Sequence, residues 1–78
     1  MEHVTAEVLR AIWERANGDL LHPVGVPSLR DALHLTSEEL RSALQVLEVT
    51  KFVRYEGEAS APITVRLTAQ GVAQGREG

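Results

Sequence analysis

Apolar residues recur at helical spacing in the middle of the chain. A helix over about 36–51 has one apolar side, because the apolar positions there follow the order i, i+3, i+4 and i+7. These positions are Leu40, Ala43, Leu44 and Leu47. Thr36 and Glu39 have the spacing of a capping box, in which each side chain accepts a hydrogen bond from the backbone N–H of the other residue. The pattern predicts a capped helix around which the rest of the fold is arranged.

The N-terminal segment predicts a first helix over about 6–16. Thr5 is expected to cap it, and Asn17-Gly18 is expected to end it, because glycine suits the left-handed position after a helix. The segment 24–26 is too short to form a strand alone, but it can add a third strand to a hairpin elsewhere.

A second, short helix is predicted just before the long one. Ser28 and Asp31 have capping-box spacing, and the helical pattern reaches about His34. The connection to Thr36 is so short that the two helices must cross steeply, as they do in helix-turn-helix units.

The residues after the long helix predict a β-hairpin. Strand-forming residues occupy 52–56, and apolar residues alternate with polar ones over 63–67. Between these two segments, 57–62 has the glycine and proline content of a loop. Thr68 can then cap about one last turn of helix, which the glycines at 71 and 75 are expected to stop.

Composition fits a single small domain over 1–78, with an ordered core of about 5–73 and mobile ends. Hydrophobic residues make up 44% of the chain, which is ordinary for a globular protein, and there is no cysteine. No apolar run approaches the roughly 20 residues that cross a bilayer, and the N-terminus lacks the apolar region of a signal peptide. We therefore expect a soluble, cytoplasmic protein. The net charge of −3 gives no overall basic excess for binding nucleic acid.

Two stretches resemble winged helix-turn-helix domains: LRDALHLTSEELRSALQVLE, and FVRYEG followed after a gap by ITVRLTAQGVA. The resemblance implies an α+β fold with three helices, a two- to three-stranded antiparallel wing and a short C-terminal helical turn. It also implies a DNA-binding transcription regulator that uses helix 36–51 and the wing over 52–67. Lys51 departs from the pattern, because the family often has glycine between this helix and the wing. A residue other than glycine there must either adopt a strained turn or leave the helix differently, which changes the angle of the wing.

In such a protein the outward face of the long helix enters the major groove of double-stranded DNA. Arg41 suits bidentate contact with guanine and Gln45 with adenine, while serine hydroxyls suit phosphates or base edges. Arginines on adjacent wing strands and in the first turn of the second helix are further phosphate contacts. The predicted DNA-binding residues are Arg30, Ser37, Arg41, Ser42, Gln45, Arg54 and Arg66.

The acidic residues of the long helix oppose this interpretation. Glu38, Glu39 and Glu48 outnumber the two basic residues of the segment, Arg41 and Lys51. The first two have a structural explanation, because the positive end of the helix dipole favours acids there. For Arg54 and Arg66 the alternative to DNA contact is a solvated pair that balances Glu56 and Glu58.

The alternative function is a protein-interaction or dimerisation module that keeps the fold without binding DNA. Apolar residues outside the main helical stripe are expected to be partly exposed, which suits a partner protein or a second copy. They are Leu20, Leu21, Val46, Val49 and the segment Ala59 to Pro62. A homodimer or larger assembly is also expected on DNA, because one small domain makes few contacts.

No pattern indicates an enzyme, a cofactor or a metal site. His3, His22 and His34 lack the spacing of metal ligands, and no serine is paired with a base as a nucleophile requires. Trp13 lies on the apolar stripe of the first helix and is expected in the core.

Overall fold

The computed structural model describes residues 3–58 and 61–77, and the side chains of those residues apart from 58 and 61–63. This part of the chain is an α+β fold with four helices and one three-stranded antiparallel sheet. In chain order the elements are α1 (His3–Ala16), β1 (Val24–Gly25), α2 (Val26–Leu33), α3 (Ser37–Val49), β2 (Val53–Glu58), β3 (Ala61–Leu67) and α4 (Ala69–Glu77).

The predicted capping box of the long helix is confirmed. The Glu39 N–H donates to Thr36 Oγ1 and the Thr36 N–H donates to Glu39 Oε1, both at 3.1 Å. The apolar side of α3 packs against α1 and the sheet, and Leu47 is fully buried there. The other core residues are Val8, Leu9, Ile12, Ala16, Val24, Leu29, Leu40, Ala43, Leu44, Val53, Val65 and Leu67.

The predicted end of α1 is confirmed, but its predicted cap is wrong. The helix begins at His3, so Thr5 lies inside it and is buried. Thr5 precedes Val8 by one turn, which places its small side chain on the inward stripe. Asn17 and Gly18 both have positive φ, and the Gly18 N–H donates to the Trp13 carbonyl at 2.9 Å.

The predicted capping box of α2 is also wrong. The helix begins at Val26 after Gly25, which makes no side-chain cap, and Pro27 lies in its first turn. Proline is favoured there because its fixed φ is helical and its missing N–H needs no partner. The Ser28 hydroxyl instead accepts a hydrogen bond from Arg15 Nη1 at 2.9 Å. The helix ends at Leu33, and its C-cap, His34, has a left-handed φ of 54°.

The sheet has the strand order β1-β3-β2, so the predicted third strand is confirmed. Val24 pairs with Val65, and Arg54 lies directly opposite Arg66. The loop predicted over 57–62 is wrong at both ends, because pairing continues past a register shift after Glu56 to the pairs Gly57–Pro62 and Glu58–Ala61. Positions 59 and 60 lie outside the described residues.

The single C-terminal turn is wrong: α4 is nine residues long and continues through both glycines. Its predicted cap is confirmed, since Thr68 Oγ1 accepts from the Gly71 N–H at 3.1 Å. A Cβ at Gly71 would lie 1.9 Å from the Phe52 carbonyl oxygen, and one at Gly75 would lie 2.4 Å from Trp13 Cδ1. The glycines therefore permit close packing of α4, and Trp13 Nε1 donates to the Val72 carbonyl at 3.0 Å.

Candidate nucleic-acid interface

The outward side of α3 presents the polar residues predicted from the sequence. Ser37, Arg41, Ser42 and Gln45 are all exposed. Ser37, Arg41 and Gln45 are four residues apart, so they form one stripe along the helix, which continues to the half-buried Glu48. We call Ser37, Arg41 and Gln45 the polar stripe. It combines a cation with an amide at a spacing of one turn.

Arg30 was predicted in the first turn of the second helix, but it lies in the last turn of α2, because the helix begins at Val26. Its Nη1 donates to Ser37 Oγ at 3.1 Å, so the short α2–α3 connection brings the two predicted residues together at the start of α3. Both side chains are exposed. An arginine and a hydroxyl beside the positive end of a helix provide donors suited to a phosphate oxygen.

Arg54 and Arg66 are also adjacent, but at the base of the β2–β3 hairpin. The last described pair of the hairpin, Glu58–Ala61, lies four residue pairs beyond Arg54–Arg66. The two arginines are therefore about 13 Å from that pair along the strands. Arg66 Nη2 contacts Glu56 Oε1 at 2.7 Å, so the alternative in which this arginine balances an acid holds for Arg66.

An acid lies between the cations of the helices, Arg30 and Arg41, and those of the hairpin, Arg54 and Arg66. Burial, the Glu48 carboxylate and a hydrogen bond to that carboxylate together raise the pKa of Tyr55. The acid that ends the polar stripe therefore lies beside β2. The last residue of α3, Val49, lies eight positions after Arg41, a distance of about 12 Å along the helix axis, and Lys51 follows the end of the helix. Positive charge is concentrated at the two ends of α3, with Glu48 between them.

Of the two alternatives for Lys51, the structure shows the left-handed turn, with φ at 67°. It lines an open groove together with Arg54, near the first residues of α4. No pattern in the sequence predicted this groove. The feature of the sequence that could have indicated it is Lys51, a lysine at a position that favours glycine.

A second groove lies on the α1 side of α3. Val4, Ala43 and Val46 supply its apolar part, and Glu38 and Glu39 its charge; Thr5 and Ser42 complete it. The predicted exposure of four apolar residues is confirmed, at 42% for Leu20, 72% for Leu21, 46% for Val46 and 74% for Val49. The side chains of Ala59 to Pro62 lie outside the described part of the chain.

No protein-family model, no curated protein and no solved structure matches the chain. Within 3–58 and 61–77, no three histidine, aspartate or glutamate side chains cluster in a way that could hold a metal ion. None of the helices found in those ranges has the length and apolar character to cross a bilayer.

Proposed function

We propose that the chain is a winged-helix DNA-binding transcription regulator in which α3 enters the major groove. The order of helices and strands and the three-residue connection between α2 and α3 support this assignment. So does the antiparallel hairpin that follows α3 directly, in the position of a wing.

The observation that carries the proposal is the exposed polar stripe beside Arg30. Arg41 can bind guanine O6 and N7, and Gln45 can bind adenine N6 and N7, one helical turn further along. Arg30 and Ser37, which share a hydrogen bond of 3.1 Å, are placed to fix the helix on a phosphate. Ser42 is a further contact at the edge of the groove.

One domain of this size covers about one half-site. Two copies on adjacent half-sites give the area and the number of contacts that specific binding requires. We therefore include a homodimer on DNA in the proposal, with Arg54 and Arg66 contributing to the field around the backbone.

Arg41→Ala tests the proposal. Selection from a library of random duplexes at low salt identifies the bound sequence. Fluorescence anisotropy with that duplex then gives affinities. We expect Arg41→Ala to weaken binding to the selected duplex by about 1–3 kcal/mol, because a bidentate base contact is lost.

Arg76→Ala is the matched control, because it removes the same charge from the exposed end of α4. Its affinity should stay close to that of the unmodified protein. Glu48→Gln should strengthen binding, since it removes the acid between the two groups of cations. Absence of any measurable affinity for duplex DNA at low salt contradicts the proposal.

Exposed Val46 and Val49 favour a second candidate function, a protein-interaction or dimerisation module without DNA binding. Both valines lie on α3 outside the polar stripe. Val46→Ser with Val49→Ser should then abolish self-association in light scattering. If that double substitution leaves the molar mass unchanged and DNA binding intact, the second candidate is rejected.

A further inference from the structure

We propose that the groove between the end of α3, the start of β2 and the start of α4 binds a phosphate group. The groove is open and has a volume of about 620 Å³. It is lined by Glu48, Lys51, Val53, Arg54, Thr68 and Gln70. It lies at the opposite end of α3 from Arg30 and is separate from the polar stripe.

Two exposed cations line this groove, and neither forms an ion pair with any acid in the described part of the chain. The ion pairs found within 3–58 and 61–77 involve His3, Arg10 and Arg66, and none involves Lys51 or Arg54. An unpaired ammonium and an unpaired guanidinium in one groove favour a multivalent anion.

The pairing of the strands strengthens this preference. Arg54 lies directly opposite Arg66 in the sheet, and like charges in that relation destabilise a strand pair. Glu56 contacts Arg66 at 2.7 Å, whereas no acid forms an ion pair with Arg54 among the side chains that the structure describes. One acid therefore accompanies two opposed arginines, and an anion bound at Arg54 adds a second negative charge beside them.

Lys51 has a backbone conformation that is costly for lysine. Its φ of 67° belongs to the left-handed region, where glycine is free of strain. The conformation closes the end of α3, since the Phe52 N–H donates to the Leu47 carbonyl at 2.9 Å, as in a Schellman cap, and it sets the position of the Lys51 side chain beside the groove. The Lys51 carbonyl accepts a hydrogen bond from Thr68 Oγ1, and its N–H donates to the Glu48 carbonyl at 3.0 Å. These bonds fix the residue on both sides.

Glu48 is the opposing charge in the groove. Its carboxylate lies near the Tyr55 hydroxyl and contributes to the raised pKa of that phenol. Two cations and one acid leave a local excess of positive charge in a chain whose net charge is −3. The Gln70 amide adds a neutral donor, so the lining suits a phosphate dianion better than an apolar ligand.

The phosphate can belong to a free phosphorylated compound or to the DNA backbone. The site itself does not depend on DNA binding; only the second source rests on the proposed function. Inorganic phosphate is the probe for the first source. Duplex DNA at varied salt is the probe for the second.

Amide chemical shifts measured during phosphate titration, at ionic strength held constant with chloride, locate the site. We expect saturable shifts confined to 51–54 and 68–71. Lys51→Gly and Arg54→Gln should each weaken binding by at least about tenfold, because each removes a charged hydrogen-bond donor. Arg76→Gln, which removes a charge outside the groove, should leave it unchanged. Lys51→Gly also keeps the backbone conformation, so its loss of binding is not a loss of folding.

The salt dependence of DNA binding separates the two sources. If phosphate does not saturate, but Lys51→Gly and Arg54→Gln each reduce the salt slope by about 0.9 relative to Arg76→Gln, the phosphate belongs to DNA. If phosphate saturates and the slopes are unchanged, it belongs to a free compound. Neither effect, or phosphate shifts spread over all cationic residues, overturns the proposal. The Arg41→Ala substitution tests the polar stripe and not the groove, so a loss of DNA binding in that variant alone does not contradict the phosphate site.

Discussion

Gly71 is the position at which α4 comes closest to the rest of the molecule. A Cβ there would lie 1.9 Å from the Phe52 carbonyl oxygen and 3.3 Å from Leu67 Cδ2. Non-bonded heavy atoms settle at about 3.5 Å, so Gly71→Ala requires α4 to move away from Phe52 by roughly 1.5 Å. A smaller adjustment cannot relieve the contact, because the opposing atom belongs to the backbone.

The cost of this movement follows from the contacts it disturbs. Overpacking of a well-packed site costs about 1–3 kcal/mol. The hydrogen bonds from the Thr68 N–H to the Phe52 carbonyl (3.1 Å) and from Trp13 Nε1 to the Val72 carbonyl (3.0 Å) are also weakened. Each contributes about 1 kcal/mol, and the helix propensity of alanine returns about 1 kcal/mol. We expect Gly71→Ala to lower the free energy of unfolding by about 2–3 kcal/mol.

Urea denaturation followed by circular dichroism measures this loss, and a thermal scan should show Tm lower by roughly 10–20 °C. Gly25→Ala is the matched control. Gly25 has a φ of −70°, and the nearest atom to its added Cβ is Ser28 Cβ at 4.0 Å. Its unfolding free energy should change by less than about 0.5 kcal/mol. If Gly71→Ala is as stable as Gly25→Ala, α4 does not pack on the Phe52 carbonyl.

Three further predictions concern α3 and its junction with the hairpin. Thr36→Ala should lower the free energy of unfolding by about 1 kcal/mol in urea denaturation, because one half of the capping box is lost; unchanged stability contradicts the cap. Tyr55 is the sole tyrosine, so phenolate absorbance should show its titration midpoint above 10.0 in the folded protein and a lower midpoint in Glu48→Gln. Since the folded state holds this proton more tightly, its contribution to stability is complete below pH about 10 and is lost as the pH rises through the folded pKa; a midpoint at the ordinary value rules out the Glu48 contact. Lys51→Gly should raise the free energy of unfolding by about 0.5–1 kcal/mol in the same urea assay, whereas Lys51→Ala, which keeps the strain, should not; equal effects of the two substitutions argue against a strained φ.

Helix caps were predictable from the sequence only where the cap is a local arrangement. Thr36 and Glu39 need only each other and the first turn of α3 to form their two hydrogen bonds. Ser28 has the same local chemistry, but Gly25 is held in the sheet by its pairing with Thr64. The chain therefore leaves β1 and enters α2 before it reaches Ser28, and Pro27 fits that first turn. Long-range pairing determined where α2 begins.

The glycines of α4 show the same limit. Propensity treats Gly71 and Gly75 as helix-ending residues, at a cost of about 1 kcal/mol each relative to alanine. The packing of α4 on Phe52 and Trp13 reverses this preference, because a side chain at either position meets another atom at less than 3 Å. Which of these roles a glycine has depends on tertiary contacts that helical periodicity does not contain.

The exposed residues of α3 were predictable because exposure follows from helical phase. Once the buried side is identified, Ser37, Arg41 and Gln45 must lie outside it. The groove beside Lys51 was not predictable in this way. It depends on the direction in which β2 leaves α3, and that direction is fixed by the left-handed Lys51 and by the Tyr55 contact with Glu48.

The acidic count along α3 overstates the negative charge on the side that carries the polar stripe. Glu39 accepts the Thr36 N–H, and it lines the groove on the α1 side together with Glu38. Glu48 lies at the far end of the helix, near the Tyr55 hydroxyl, whose pKa it raises. Arg30 and the polar stripe together contain two cations, two neutral polar residues and no acid. Position on the helix, rather than the sum over 36–51, therefore decides the electrostatics of α3, and it favours a phosphate-facing role for its N-terminal half.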